Sequence, residues 1–176
     1  MRCCDEIEFS RLISFDPNLR LSLWKTPEEA RKRILYGMKQ CDIMKISEEE
    51  VAFVSAQESL EEGVSFIRDN SDIKILFVTL GNKGSIAYYK DEKIYCGGIH
   101  QEHVVDTTGA GDTFCGAVLS RILELGTDAL TEKDIREMLL FANAAASIVV
   151  TRKGALCSMP EPEEIRAASS LIDKVL

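Results

Sequence analysis

The densest chemistry in the chain lies in Asp106-Thr107-Thr108-Gly109-Ala110-Gly111-Asp112-Thr113-Phe114. Two glycines flank Ala110, so the backbone can turn sharply and aim successive N–H groups at one point. Residues 113–125 have a helical pattern, and the positive end of that helix faces the same point. Together these make an anion hole suited to a phosphoryl group. Asp112 adds a carboxylate at its mouth, able to take a proton from an attacking hydroxyl. The competing reading is plainer: the glycines shape a strand-to-helix turn and Asp112 caps it. Two other glycine motifs are excluded. A P-loop continues from its last glycine into Lys-Ser/Thr, whereas Asp112 follows Gly111, and the dinucleotide fingerprint needs glycine where Phe114 stands.

The elements that must position this loop alternate between strand and helix. A short apolar run at 12–15 stops at the turn cluster Asp16-Pro17-Asn18. Thr26 is a helix cap, Pro27 suits the first helical position, Glu28 and Glu29 favour the positive helix end, and the helix is predicted to reach about Lys39. Residues 42–46 read as a buried strand, and Ser47 with Glu50 forms a capping box for the next helix. Another helix is predicted over 60–68. The strongest strand is 74–80, followed by a tight turn between Gly81 and Gly84 and two antiparallel strands, 85–89 and 93–96. Long helices are predicted over 132–149 and 162–175. Strands alternating with helices imply an α/β fold, a mostly parallel sheet with helices on both faces.

The 176 residues, with neither repeats nor a linker, suit one domain with a real core. A formal net charge of -8 without a basic stripe argues against a nucleic-acid partner. No apolar run is long enough for a membrane span, and the acidic start MRCCDEIEFSR lacks the apolar core of an export signal. The six cysteines show no paired zinc-type spacing, so reduced thiols in a cytoplasmic protein are expected. His100 and His103 read as solvated loop residues, without further partners for a metal.

DTTGAGDTF resembles the second signature of the PfkB, or ribokinase-like, carbohydrate kinases. Other segments resemble the family in order. Asp16-Pro17-Asn18-Leu19-Arg20 with Trp24 is similar to a fructokinase-type segment. Lys45-Ile46-Ser47-Glu48-Glu49-Glu50 stands where ribokinases carry Asn-x-x-Glu. Val78-Thr79-Leu80-Gly81 with Lys83-Gly84 resembles the strand and turn of the nucleotide site. Asn143-Ala144-Ala145-Ala146 and Thr151-Arg152-Lys153-Gly154-Ala155 resemble the closing ATP and cation segment. Residues 12–176 are covered by this resemblance, and 1–11 are an atypical start.

The resemblance implies roles position by position. Asp112 would activate the sugar hydroxyl, and the amides of Gly109, Ala110 and Gly111 would hold developing charge. Arg20 would neutralise nucleotide phosphates, with Asn18 a lesser contact, although Arg20 also suits a surface ion pair. Thr79, Gly81, Gly84 and Asn143 would line the nucleotide; a solvent-facing helix amide is the plainer reading of Asn143, and its apolar neighbours Phe141, Ala142 and Ala144 to Ala146 favour the ligand role. Glu50 would order Mg2+ and its waters, or serve only its capping box; Ser47 in place of asparagine weakens the magnesium argument and agrees with the fructokinase variant. Asp106, Thr108 and Ser158 resemble a monovalent-cation site, usually potassium, and Asp106 can also hold the loop. Lys45 carries no assignment.

The implied activity is ATP-dependent phosphorylation of a sugar, fructose to fructose 6-phosphate foremost, with ribokinase or 2-keto-3-deoxygluconate kinase as alternatives. The family's amino-terminal part, with its lid and most sugar contacts, has no counterpart here. The chain thus reads as a carboxy-terminal portion, with an exposed hydrophobic sheet edge, weak ATP binding and poor turnover expected. A homodimer, or pairing with a missing amino-terminal half, is compatible with this. The alternative from another class is a catalytically impaired nucleotide-binding fragment.

Overall fold

A computed structural model describes residues 12–154 and 156–172. One five-stranded sheet organises them, in the order β1 (Ser14–Phe15), β2 (Ile43–Ser47), β3 (Ile75–Thr79), β4 (Gly84–Tyr89) and β5 (Glu92–Gly97). β1, β2 and β3 pair in parallel, with Ser14 opposite Ile43 and Ile43 opposite Ile75. β4 runs against both β3 and β5. Four strands therefore share one direction and β4 alone opposes it, which is the mixed, mostly parallel α/β sheet that the alternating pattern predicts.

Strand periodicity divides the core into two layers. Ile75, Phe77, Ala87 and Tyr89 face α4 (Ala110–Leu125), α5 (Glu132–Val149) and α6 (Pro162–Ile172). Leu76, Val78, Ile86 and Tyr88 face α1 (Pro27–Met38), α2 (Glu48–Ser55) and α3 (Leu60–Asp69). On the first face the Phe77 ring meets Phe114 of α4 edge-on, with centroids 6.3 Å apart. This contact fixes the start of α4 over the sheet.

Side-chain caps set the helix starts. Thr26 accepts the Glu29 amide, and Ser47 and Glu50 exchange the reciprocal bonds of a capping box. Ser59 caps α3, and Thr131 forms a box with Asp134 on α5. The predicted elements are present to within a residue or two at most ends. The last helix is followed to Ile172, and the rest of its predicted length lies outside the described residues. Among the described residues, no helix is long and apolar enough to cross a membrane.

Candidate active site

The chemistry-bearing segments gather at the carboxyl ends of the parallel strands, where ligands bind in open α/β sheets. The Asp16-to-Arg20 turn follows β1, Ser47 and Glu50 follow β2, and Gly81 and Gly84 follow β3. The loop leading to α4 is pinned from behind, because the amides of Val105 and Asp106 both donate to the Val150 carbonyl at the end of α5 (2.8 and 3.2 Å).

Gly109 adopts φ 84°, a left-handed conformation that glycine reaches without strain, and α4 starts at the next residue. Thr113 N–H donates to the Gly109 carbonyl at 2.8 Å, which opens the helical ladder. Of the three amides assigned to the anion hole, that of Ala110 donates to the Thr107 carbonyl at 3.3 Å and closes the turn. Among the described residues no acceptor engages the amides of Gly109, Gly111 or Asp112. Two of the three expected amides, Gly109 and Gly111, thus stay open, the third closes the turn, and the Asp112 amide lies open beside them. The Asp112 side chain is exposed at this helix start.

Two clefts flank the loop. One, of 390 Å³ and mainly apolar, has Gly81, Asn82 and Gly84 on one side, Gly98 to Gln101 with Val104 on another, and Asn143, Ala146, Ser147 and Val150 from α5. Thr107 and Ala110 close it toward the loop. The other, of 580 Å³, is lined by Asn18, Leu19, Arg20, Lys45, Ser47, Glu49 and Glu50, among others. Gly111 connects them: a Cβ at this position would stand 3.1 Å from Lys45 Nζ. Thus Ala110 borders one cleft while the next residue, Gly111, lies against the cation of the other, and Asp112 follows directly in the chain.

The second cleft has a defined internal structure. Glu50, 8% exposed, accepts the Leu19 amide on Oε1 at 2.6 Å and the Ser47 amide on Oε2 at 2.9 Å. It therefore performs the capping role and also clasps the Asn18–Arg20 turn. Arg20 is exposed, with its guanidinium on the Leu19 carbonyl (3.1 Å). Asp16 accepts from Lys45 Nζ (3.2 and 3.3 Å). Burial raises the Asp16 carboxyl above its ordinary range, against the opposing pull of Lys45. Cys115, near the start of α4, is pushed up to about 11 by burial and by Asp16, then eased by Lys45, so its thiol is protonated at neutral pH.

Asn143 faces inward. Its Nδ2 donates to the Cys96 and Gly97 carbonyls (both 3.2 Å), and its Oδ1 accepts from Ser85 Oγ (3.0 Å). The amide shapes the cleft wall with its polar atoms already engaged. Thr79 ends β3 opposite Ser47 and Ser85 and lines neither cleft. Asp106, Thr108 and Ser158 assemble around the Gly154 turn: Asp106 accepts from the amides of Thr108 (2.9 Å) and Gly154 (3.3 Å), and Ser158 Oγ donates to the Gly154 carbonyl. Among the described residues there is no cluster of three or more His, Cys, Asp or Glu side chains poised for a metal.

Two contributors escaped the sequence reading. The 98–104 segment, including His100, forms a cleft wall although its composition reads as an ordinary loop. Lys45 sits beneath the loop, and the sequence signal for it was a lysine inside an apolar strand.

The model of the pfkB family carbohydrate kinases matches residues 2–162. This chain belongs to that family. Among PfkB relatives, fructokinase-1 of Zea mays is 42% identical over 160 residues, 90% of this chain and 49% of its own length. Fructokinase-1 of Oryza sativa is 41% identical over 90% of this chain, again 49% of its own length. The crystal structure of fructokinase from Vibrio cholerae O395, with fructose, ADP and calcium ion bound, superposes with a TM-score of 0.80 at 33% identity, covering 89% of this chain and 50% of that one. The chain thus spans about half the length of these PfkB relatives.

Proposed function

We propose that this chain supplies the nucleotide-binding and phosphoryl-transfer portion of an ATP-dependent sugar kinase, with fructose to fructose 6-phosphate as its reaction. The observation that carries this is the position of Asp112. It stands exposed at the start of α4, two residues after Ala110 of the apolar cleft and next to Gly111, which lies against Lys45 of the cleft bearing cations. In this reading the apolar cleft takes the adenosine, Arg20 and Asn18 face the phosphates, and Asp112 accepts the proton of the sugar hydroxyl. The hydroxyl oxygen then attacks the γ-phosphorus, the bond to the bridging β–γ oxygen breaks, and ADP leaves. The amides of Gly111 and Asp112 stabilise charge on the transferring group. Gly81 and Gly84 let backbone approach the nucleotide, and Asn143 holds the wall in shape.

The residues fit the ions that this chemistry uses. Each Glu50 oxygen already accepts an amide and keeps a second lone pair, which suits a contact to the waters of Mg2+ rather than to the ion itself. Bound Mg2+ supplies neutralisation of phosphate charge. Asp106, held ionised by its amide donors, with Thr108 and Ser158, suits a monovalent cation such as K+. A V. cholerae fructokinase double mutant crystallised with fructose, ADP and potassium ion supports this reading (TM-score 0.80, 33% identity). We place the protein in the cytoplasm, where ATP is available and where the reduced thiols of Cys41, Cys115 and Cys157 would persist.

A second reading is favoured by the β1 edge, where Leu12 and Ile13 are exposed and Leu23 in the next turn is 82% exposed. Here the chain acts as a nucleotide-binding portion that needs a partner half, or a second copy, to cover this edge and to clamp the sugar. The decisive experiment uses a chimera in which the amino-terminal half of the maize relative precedes residues 12–176. Fructose-dependent ADP release is expected. Asp112→Asn should lower it by roughly 10²- to 10⁴-fold with ATP binding retained. Undiminished turnover in that variant removes Asp112 from the mechanism, and a folded but inactive chimera favours the second reading.

A further inference from the structure

The apolar cleft assigned to adenosine holds few polar side chains free to read a base. Asn143 has its amide engaged on both sides, Nδ2 by the Cys96 and Gly97 carbonyls and Oδ1 by the Ser85 hydroxyl. Thr107 belongs to the loop before α4, and Asn82 and His100 are exposed. Gln101 differs from these. It lines the cleft, is half-buried, and meets Ser147 of α5 across 46 residues of sequence, with Nε2 3.4 Å from Oγ.

Ser147 decides which way that amide points. Its single hydroxyl proton goes to the Ala144 carbonyl at 2.8 Å, and the serine is itself only 7% exposed. Toward Gln101 the serine oxygen can therefore only accept, so the glutamine turns an N–H to it. The separation is long for a hydrogen bond, but the flipped amide would set its carbonyl oxygen against an oxygen with no proton left to give. Repulsion as well as attraction thus orients the amide. Oε1 is left over, and among the described residues no donor engages it. An open acceptor in a mainly apolar wall favours a ligand that brings a donor to it. Adenine has one in its 6-amino group, whereas guanine and hypoxanthine carry a carbonyl oxygen at the same place.

We propose that Gln101 selects the nucleobase: its Oε1 accepts the 6-amino group of adenine, and Ser147 is the positioning residue that keeps the amide from turning over. The inference rests on the nucleotide reading above and deepens it, from a cleft that would suit any purine to one that prefers a 6-amino purine. A freely turning amide could serve either kind of base, by offering Nε2 to a carbonyl in place of Oε1 to an amine. An amide held by Ser147 cannot. A 6-oxo purine would then set two acceptors face to face, and a site whose polar group is left unpaired rejects the wrong ligand more strongly than an apolar wall can.

The test is calorimetric titration of the purified chain with ATP and, separately, with ITP, whose base has a carbonyl where adenine has the amine. The unaltered chain should bind ATP about tenfold or more tightly than ITP. Gln101→Leu should bring the two within about twofold of each other, through loss of ATP affinity. Ser147→Ala should also narrow the gap, but through gain of ITP affinity, because the released amide can offer Nε2 to the carbonyl. A merely structural role for Ser147 would weaken both nucleotides alike. An unaltered chain that binds ATP and ITP equally overturns the proposal, as does a Gln101→Leu variant that keeps the full preference. A Ser147→Ala variant of unchanged preference, or of equal loss for both nucleotides, overturns the positioning role. An unaltered chain that binds neither nucleotide defeats the nucleotide reading itself, and this inference with it.

Discussion

The carboxylate of Glu50 grips the amide of Leu19 at 2.6 Å across 31 residues of sequence, while its other oxygen caps α2 through the Ser47 amide at 2.9 Å. One side chain thereby fixes the turn carrying Asn18 and Arg20 against the helix after β2. Removing it strands two amide donors in a mostly buried place. Glu50→Ala is expected to lower unfolding stability by about 2–4 kcal/mol, since each orphaned donor costs about 1–2 kcal/mol. Glu50→Gln, which keeps one acceptor, should lose about half as much. Urea unfolding of the variants checks this; an alanine variant as stable as the parent would mean that the clasp contributes nothing in solution.

Asn143 ties three elements together from the middle of α5. With three hydrogen bonds to Ser85, Cys96 and Gly97, its loss would leave the fully buried Ser85 hydroxyl without the Asn143 acceptor and take one donor from each of two carbonyls. Asn143→Ala should therefore lower stability by about 2–4 kcal/mol. Asn143→Asp should be worse, because a carboxylate would face two carbonyl oxygens. Thermal melting alongside nucleotide titration separates the possible roles. Loss of ATP affinity in an alanine variant of unchanged melting temperature would make Asn143 a ligand group in place of a wall.

How much of this was written in the sequence depends on the range of each interaction. Helix starts were legible because their signals are local: Thr26 with Pro27 and Ser47 with Glu50 act within one turn. The two-faced sheet was legible because Ile75 to Val78 alternate between two covered faces within one strand. The turn into α4 was legible from the glycines of 106–114, but not which amides stay open. That follows from whether the Thr107 carbonyl curls back to Ala110, a difference of one residue in the turn. Glu50 reaching Leu19, Lys45 reaching Asp16 and Asn143 reaching Cys96 each span 29 residues or more. Such contacts exist because parallel strands and their crossovers bring distant segments to one edge, and no periodicity of either segment encodes them.

The last prediction concerns acid. Hydrogen bonds from Thr108, then the Gly154 amide, with Lys153 nearby, hold the Asp106 carboxyl below its ordinary value of 3.8. Protonation is thus harder in the folded loop than in the unfolded chain. The stability this tether contributes is complete above about 3.8 and disappears as pH falls through the lower folded value. Asp16 behaves oppositely: burial raises its carboxyl, so ionising it opposes folding as pH climbs from 3.8 through the raised value. Loosening of the Gly154 turn in acid should therefore follow Asp106 and leave the Asp16 site intact. Amide hydrogen exchange, corrected for the intrinsic pH dependence, should show steady protection at Thr108 and Gly154 from neutral pH down to about 4, then a decline. In Asp106→Asn, protection of both amides should already be reduced at neutral pH and should not decline further in acid. Equal protection in variant and parent would show that the turn is held by the Ser158 contact to the Gly154 carbonyl instead.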